Sequence, residues 1–271
     1  AYLGIYWQDV QIHLTYSTIM INVDDGKNTH TMFRKCYRHG INMTAVLQAS
    51  RASRNALYQN APYDRFVTHL NHIQESSTRR IYPEWMVILA IGLASSAFCL
   101  IFGGHAVEAL YTMLAAMAGA LVRYLCSRVE FNVYVTIAAS AFAATVTAYF
   151  TMYLPGAISP FLPIVACALT LIPGVPLINA VDDFLNNYLT SGMTRITHTL
   201  LIMLAMTFGI AGAVGITDVP SFTDVNIAPE SLYLTQALAA AMAALGFSIM
   251  FNVPRRYIPA ACLGAIITVD V

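Results

Sequence analysis

The sequence predicts a mainly α-helical, polytopic membrane protein with six full spans and a truncated seventh, preceded by a small N-terminal cytoplasmic α/β domain. Composition is the first reason: 58% of the 271 residues are hydrophobic and 10% are charged, whereas soluble domains contain roughly 45–50% apolar and about 25% charged residues. Charge distribution is the second, because residues 1–83 carry nine of the 14 basic and five of the 14 acidic side chains. The remaining body is too apolar for a water-soluble globule.

The polar head is predicted to begin with a β-hairpin. Residues 17–23 are rich in β-forming side chains, and residues 29–37 have the composition of a return strand. Between them, Asp24-Asp25-Gly26-Lys27 contains an Asp-Gly pair, which favours the tight turns that join antiparallel strands. The head is therefore expected to contain an antiparallel sheet.

Two helices are expected to complete the head. Asn42 is placed to cap the N-terminus of the first helix, and the second is expected to start near Pro62. The second helix aligns Phe66, Leu70 and Ile73 on one face. The apolar side of the first helix is predicted to consist of Met43, Val46, Leu47, Leu57 and Tyr58.

The apolar body contains six runs long enough to cross a bilayer, whose hydrocarbon core requires about 20 residues of helix. Glu108 is the one formal charge within these runs. A seventh run, residues 257–269, is too short to span, so the sequence is expected to be a fragment at both ends that stops inside a seventh helix. The six runs are residues 85–102, 106–122, 131–154, 157–181, 196–216 and 231–251.

These runs divide the sequence into three predicted domains. Residues 1–83 form the head, residues 84–216 form a first five-helix transmembrane half, and residues 217–271 form the start of a second half. A complete second set of five spans would be inverted relative to the first. In that architecture the substrate binds at the interface of the two repeats.

The basic residues predict the orientation of the spans, because Lys and Arg accumulate in cytoplasmic loops. Nine precede the first span, and the loops after the first, third and fifth spans contain none. The head is therefore expected to lie in the cytoplasm. The other five basic residues follow the second, fourth and sixth spans: Arg123, Arg128, Arg195, Arg255 and Arg256.

Small residues predict close packing between the spans. Residues 138–144 and 237–246 are dominated by Ala, and the fifth span carries Gly209, Gly212 and Gly215 at every third position. Such faces let helix backbones approach each other closely. A compact bundle is expected rather than isolated anchors.

The end of the fourth predicted span is the most informative segment. Pro173, Gly174 and Pro176 remove two amide donors and loosen the backbone, so the helix is expected to break or kink. Transporters use broken helices because freed backbone groups and half-helix ends bind ions and zwitterions. If the helix resumes after Pro176, Asn179 and Asp183 share a face at i,i+4 and are placed to hold an ammonium group or pass a proton.

An ordinary explanation of this segment stays open. Proline often marks the exit of a span, and Asp182 and Asp183 are then solvated side chains at the cytoplasmic surface. On a helix, Asp182 points about 100° away from Asp183, so it is the weaker candidate of the two.

Other polar residues within the spans are weaker candidates. Glu108 lies with His105 near the outer end of the second span; an intramembrane carboxylate is a functional candidate, but one turn inside the membrane it can also reach water. His198 is interpreted as an interhelical hydrogen-bonding residue rather than a proton carrier, and Gln236 as a packing residue.

No cofactor, metal or enzymatic activity is expected. The five cysteines form no CxxC pair, and Cys36-x-x-His39 and His69-x-x-His72 lack obvious third and fourth ligands. An intramembrane aspartyl protease requires two acids on facing helices, whereas the paired acids here, Asp182 and Asp183, are adjacent in sequence. The sequence also contains no phosphate-binding glycine loop, and its zero net charge does not favour nucleic-acid binding.

The segment after the fourth span resembles the signature of the threonine/serine exporter (ThrE) family, closest to its two-component YjjP/YjjB-type versions. The matching residues are Pro-Gly-Val-Pro-Leu-Ile-Asn-Ala-Val at 173–181, then Asp183, then Gly192-x-x-Arg195. Residues 246–254 resemble the opening of the YjjB-like half, whereas Asp182 departs from the family pattern. Supporting matches are residues 38–43, Tyr82-Pro83-x-Trp85 and Phe98-Cys99 before Gly103-Gly104.

The resemblance implies a proton-driven secondary exporter of small metabolites in a bacterial cytoplasmic (inner) membrane. The substrates it implies are threonine and serine in single-chain members, and succinate-type dicarboxylates in two-component relatives. The spans hold no Lys or Arg at mid-depth, which favours a zwitterion over a dianion. Expected partners are the substrate, protons, lipid and further copies of the chain, and the alternative is a non-transporting scaffold or sensor. The site residues are Pro173, Gly174, Pro176, Asn179, Asp183, Arg195 and Glu108.

Overall fold

The computed structural model describes residues 9–15, 17–24, 26, 28–35, 40–58, 63–77, 80–156, 160–217 and 233–269. The chain divides into two compact units. The first unit comprises Ala1–Ile81 and Val175–Thr197, and the second comprises Tyr82–Gly174 and His198–Val271. Residues 175–197, which follow the predicted helix break, are thus grouped with the N-terminal head. The domain boundaries drawn from the sequence stay predictions.

The first unit contains a three-stranded antiparallel sheet with strand order β1-β2-β3. The strands are β1 (Asp9–Leu14), β2 (Thr18–Asp24) and β3 (Thr29–Lys35). The predicted hairpin consists of β2 and β3. In the turn between them, the Gly26 N–H donates to Asp24 Oδ1 at 2.8 Å, and Gly26 has a positive φ of 82°. Strand β1 was not predicted from the sequence, although Val10, Ile12 and Leu14 alternate with polar residues as strand residues do.

Two helices follow in the first unit, α1 (Met43–Tyr58) and α2 (Tyr63–Ser77), and they pack against each other. The predicted cap is confirmed, because Asn42 Oδ1 accepts the Ala45 N–H at 3.3 Å.

The predicted apolar side of α1 is wrong in part: Val46, Leu57 and Tyr58 are exposed, whereas Met43 and Leu47 are half-buried. The buried residues of α1 are Ala52 and Ala56, because small side chains one turn apart allow a neighbouring helix to approach closely. On α2, Ile73 is buried as expected and Phe66 is half-buried, but Leu70 is exposed.

The rest of the chain is built of apolar helices. Their bounds are α3 (Glu84–Ile101), α4 (Ala106–Arg128), α5 (Val133–Thr151), α6 (Phe161–Leu171), α7 (Gly174–Leu185), α8 (Leu189–Thr217) and α9 (Tyr233–Met250). Among the described residues, five of these helices are long and apolar enough to cross a membrane, namely α3, α4, α5, α8 and α9, and the broken pair α6–α7 makes a sixth if it forms one span. Residues 175–197, which are most of α7 and the start of α8, belong to the first unit, and the other helical residues form a bundle in the second. A short 3₁₀ turn (Arg255–Tyr257) leads into α10 (Ile258–Val269), which covers the seventh predicted run.

Glycine contacts between helices confirm the close packing predicted for the bundle. A Cβ added at Gly246 of α9 would lie 2.5 Å from the Ala90 carbonyl oxygen of α3, and one at Gly209 of α8 would collide with the Ala138 carbonyl of α5. Hydroxyl groups add polar contacts, as between Ser95 and Thr170, whose oxygens are 3.0 Å apart in the buried core. Backbone proximity and hydroxyl pairs are the usual stabilising contacts between helices in lipid.

A hydrogen bond joins the start of α3 to the residues that follow α9. The buried Tyr82 hydroxyl donates to the Val253 carbonyl oxygen at 2.8 Å. Burial raises the pKa of Tyr82, and the Arg255 guanidinium opposes that shift. The beginning of the first span and the end of the sixth therefore lie at the same end of the bundle, as the predicted alternation of spans requires.

Candidate functional site

The predicted helix break is confirmed between α6 and α7. Ile172 has extended backbone angles (φ −60°, ψ 125°), and the Gly174 N–H donates to the Ile172 carbonyl at 2.9 Å rather than to the carbonyl four residues earlier. Pro173 has no N–H and its ring disfavours the helical conformation of Ile172. The local sequence thus ends α6 at Leu171.

The helix resumes at Gly174, three residues earlier than the position after Pro176 that was assumed from the sequence. Helix α7 begins at Gly174, so Pro176 occupies its first turn. Proline is tolerated there because the N–H groups of a first helical turn have no intrahelical acceptor. The break is therefore confined to residues 172–173, and the second unit ends one residue later, at Gly174.

Asn179 and Asp183 lie one turn apart on α7, as expected. Asn179 is exposed and Asp183 is half-buried, with 18% of its side chain accessible. Asp182 is exposed and is engaged within its own segment, since the Asn186 amide donates to Asp182 Oδ1 at 3.2 Å and to its carbonyl at 2.9 Å. The structure thus separates the two neighbouring aspartates as the sequence predicted.

A tight turn joins α7 to the beginning of α8 and forms a helical hairpin, residues 175–197. Asn187 adopts a left-handed conformation (φ 62°), and the Tyr188 N–H donates to the Asp183 carbonyl at 2.8 Å, which closes the end of α7. Gly192 of α8 faces the Phe184 ring of α7, and an added Cβ would lie 2.8 Å from two ring carbons. Gly192 is therefore needed for the close approach of the two helices.

The hairpin brings Asp183 and Arg195 together. Arg195 Nε donates to Asp183 Oδ2 at 3.0 Å, and the two side chains are 24% and 18% exposed. A partly exposed pair of this kind contributes only about 1 kcal/mol, so little free energy is needed to separate it. The arrangement is chemically suited to switching between a closed and an open ion pair.

Glu108, the remaining predicted site residue, lies in the second unit. Its side chain is 3% exposed, and Oε2 accepts the His105 N–H at 3.0 Å. The carboxylate therefore caps the N-terminus of α4, where an acidic group is favourable to the helix dipole. It does not reach out to water.

His198 contributes an interhelical hydrogen bond, as interpreted from the sequence. Its Nδ1 lies 2.9 Å from the Tyr134 hydroxyl, and the two rings meet edge to face with centroids 5.7 Å apart. Tyr134 was not predicted as the partner of His198, because the spacing of residues along α5 and α8 does not indicate which of them face each other.

The metal motifs considered in the sequence do not form a described site. Cys36 and His39 lie outside the described residues, and His69 and His72 are exposed on α2. Within the part of the chain that the structure describes, no three His, Cys, Asp or Glu side chains are grouped to hold a metal ion.

Comparison with known proteins identifies the family of this bundle and hairpin. Residues 2–217 match the ThrE family, described as "Putative threonine/serine exporter". The protein belongs to the ThrE family. The match ends where α8 ends, so it includes the helix break and the Asp183–Arg195 pair. The likeness of residues 246–254 to a YjjB-type half stays a prediction.

Two relatives of this chain have names that state a function. It is 29% identical over 199 residues to the "Probable succinate transporter subunit YjjP" of Escherichia coli (strain K12), covering 73% of this chain and 76% of the relative. It is 27% identical over 196 residues to the protein of the same name from Klebsiella aerogenes, covering 72% and 74%. No solved structure matches this chain. The protein is thus a multi-pass membrane protein of a transporter family.

Proposed function

We propose that this ThrE protein is a secondary active exporter of small carboxylate-bearing metabolites across the cytoplasmic membrane, coupled to the proton gradient. The observation that carries this proposal is the Asp183–Arg195 ion pair on a hairpin that follows a helix break. The N-terminal head and the hairpin face the cytoplasm in this proposal, in keeping with the distribution of Lys and Arg.

The ion pair supplies a coupling device that needs no nucleotide. While Asp183 is ionised, it can hold the ammonium group of an amino-acid substrate whose carboxylate binds Arg195. When a proton binds Asp183, that attraction is lost and the substrate is released. Proton and substrate therefore exclude each other and move in opposite directions, as export driven by an inward proton gradient requires. The break at residues 172–173 provides the backbone freedom for α7 to move during this cycle, as the discontinuous helices of transporters do.

The substrate class follows from what the comparisons share. Threonine and serine appear in the family description, and succinate appears in the names of the two relatives; all three carry a carboxylate. Threonine and serine are the first substrates to test, and a succinate-type dicarboxylate is the second. Because the relatives are named as subunits, a second subunit is the expected partner, and a homo-oligomer is the alternative.

Flux in native membranes tests the proposal without removing such a partner. Inside-out vesicles from the source organism, with the gene present or deleted, are given labelled threonine, serine or succinate, with and without an acidic lumen. We expect gene-dependent uptake of at least one substrate that increases with the pH gradient. A scaffold or sensor predicts equal uptake in both vesicle preparations, and that result would refute the proposal.

A further inference from the structure

Helix α7 carries exposed aliphatic side chains on one side. Ile178, Val181 and Leu185 are 69%, 49% and 78% exposed, and they occupy positions i, i+3 and i+7, which share one side of a helix. We call these three residues the apolar arc. Neighbouring exposed aliphatic residues mark a surface that contacts a protein partner or lipid, so the arc needs an occupant.

The other sides of α7 have different surroundings. Asn179 and Asp182 are exposed on a polar side, whereas Ala180 is buried and the Phe184 ring faces Gly192 of α8. The open surface of α7 is therefore divided into an apolar side and a polar side. This division is typical of helices that lie in a membrane interface, with one side towards the acyl chains and the other towards water.

Helix α8, which follows, continues the apolar pattern. Leu189 and Met193 are exposed at its start, and Leu200 and Leu204 are exposed further along it. These positions share one side of α8, because the last three follow the first at i+4, i+11 and i+15. The helix has 29 residues and is about 43 Å long, whereas the hydrocarbon core is roughly 30 Å thick and the whole bilayer about 40–45 Å. The first turns of α8 therefore lie at the level of the headgroups.

Helix α6, which precedes α7, is too short to cross the membrane by itself. It is apolar and has 11 residues, so its length is about 16 Å, roughly half the thickness of the hydrocarbon core. The break occupies only residues 172–173, and α7 begins at Gly174. The chain therefore enters α7 at the depth of the lipid and leaves it at the level of the headgroups.

We infer that the apolar arc, together with Leu189 and Met193, is a lipid-contact surface that holds the hairpin in the membrane interface. Lipid is the occupant that the neighbouring helices indicate, because the exposed side of α8 continues into a candidate span. The inference goes beyond the proposed function, since this surface takes no part in the ion pair. It places the Asp183–Arg195 pair at the boundary between lipid and water.

Spin labels test which environment surrounds the arc. Single cysteines are introduced into the full-length protein, whose five native cysteines are first replaced, and the labelled protein is reconstituted into phosphatidylcholine vesicles. Collisions of the label with oxygen, which enters lipid, are compared with collisions with a polar nickel chelate, which stays in water. The labelled variants are Ile178→Cys and Leu185→Cys, with Asn179→Cys as the matched control on the polar side and Val46→Cys as an exposed aliphatic position of the head.

The two arc positions should have a ratio of oxygen to nickel collisions about threefold or more above that of Asn179→Cys and Val46→Cys, because an interfacial helix buries only its apolar side in lipid. An equal ratio at all positions would mean that water surrounds the arc, and it would overturn the inference. Low collision rates with both reagents at Ile178→Cys and Leu185→Cys would mean that protein covers the arc, and they would overturn it as well.

A second measurement keeps the native cysteines and decides the question if their replacement prevents folding. Tryptophan is introduced as Leu185→Trp or Asn179→Trp, and the emission of the native Trp7 and Trp85 is subtracted. Phospholipids brominated on their acyl chains should quench the emission added by Leu185→Trp about twice as strongly as that added by Asn179→Trp, or more. Equal quenching would refute the lipid contact. Neither measurement involves flux, so the placement of the hairpin and the proposed exporter can fail separately.

Discussion

Replacing Asp183 by Asn tests whether the ion pair of the hairpin couples protons to transport. The substitution keeps the size of the side chain and removes both its charge and its ability to take up a proton. In the wild type the Arg195 Nε and Asp183 Oδ2 atoms are 3.0 Å apart and both side chains retain some exposure to solvent. The pair therefore contributes about 1 kcal/mol to folding, which corresponds to a decrease in Tm of about 2–4 °C for a protein of this size.

The expected loss of function is much larger than this loss of stability. If Asp183 exchanges a proton for the substrate, Asp183→Asn should decrease export about tenfold or more and abolish the response to the pH gradient. The assay is uptake into inside-out vesicles over a series of luminal pH values, normalised to the amount of folded protein. The size of the functional effect relative to the small stability effect separates coupling from simple misfolding.

Asp182→Asn is the matched control, because it makes the same chemical change one residue away. Asp182 is exposed and interacts with Asn186 of its own segment, so flux and pH response should equal those of the wild type. A double-mutant cycle with Arg195→Gln then measures the coupling energy of the pair. Wild-type flux in Asp183→Asn, or an equal loss in Asp182→Asn, would refute the coupling role.

Two further substitutions test packing contacts, one within the hairpin and one at the end of the bundle. Gly192→Ala places a Cβ 2.8 Å from Phe184 ring carbons, so it should lower the stability of the hairpin by about 1–3 kcal/mol; Gly215→Ala, with nothing within 4 Å of the added atom, is the control and should not decrease the melting temperature. Tyr82→Phe removes the 2.8 Å hydrogen bond to Val253 and should cost about 0.5–1.5 kcal/mol. Because burial raises the pKa of Tyr82, this contribution should be present at neutral pH and be lost only as the pH rises above the ordinary tyrosine range; an equal pH dependence in Tyr82→Phe would contradict it.

The spans were predictable from the sequence because lipid imposes a simple rule on the backbone. Every N–H and C=O group in the hydrocarbon must be bonded internally, so long apolar runs become helices. The rule does not predict how far a helix continues into polar residues outside the hydrocarbon. Helix α4 continues to Arg128, six residues past its predicted end, and α8 begins at Leu189, seven residues before its predicted start. These extensions are helical without being apolar, so hydropathy could not reveal them.

The members of the candidate site were predictable, but their pairing was not. The chemistry of Pro173 indicated the break, and the i,i+4 spacing placed Asn179 and Asp183 on one face. The contact between Asp183 and Arg195 depends on a turn in which Asn187 takes a left-handed conformation and on the absence of a side chain at Gly192. Those conditions involve residues on two helices, and a sequence pattern along one helix cannot express them.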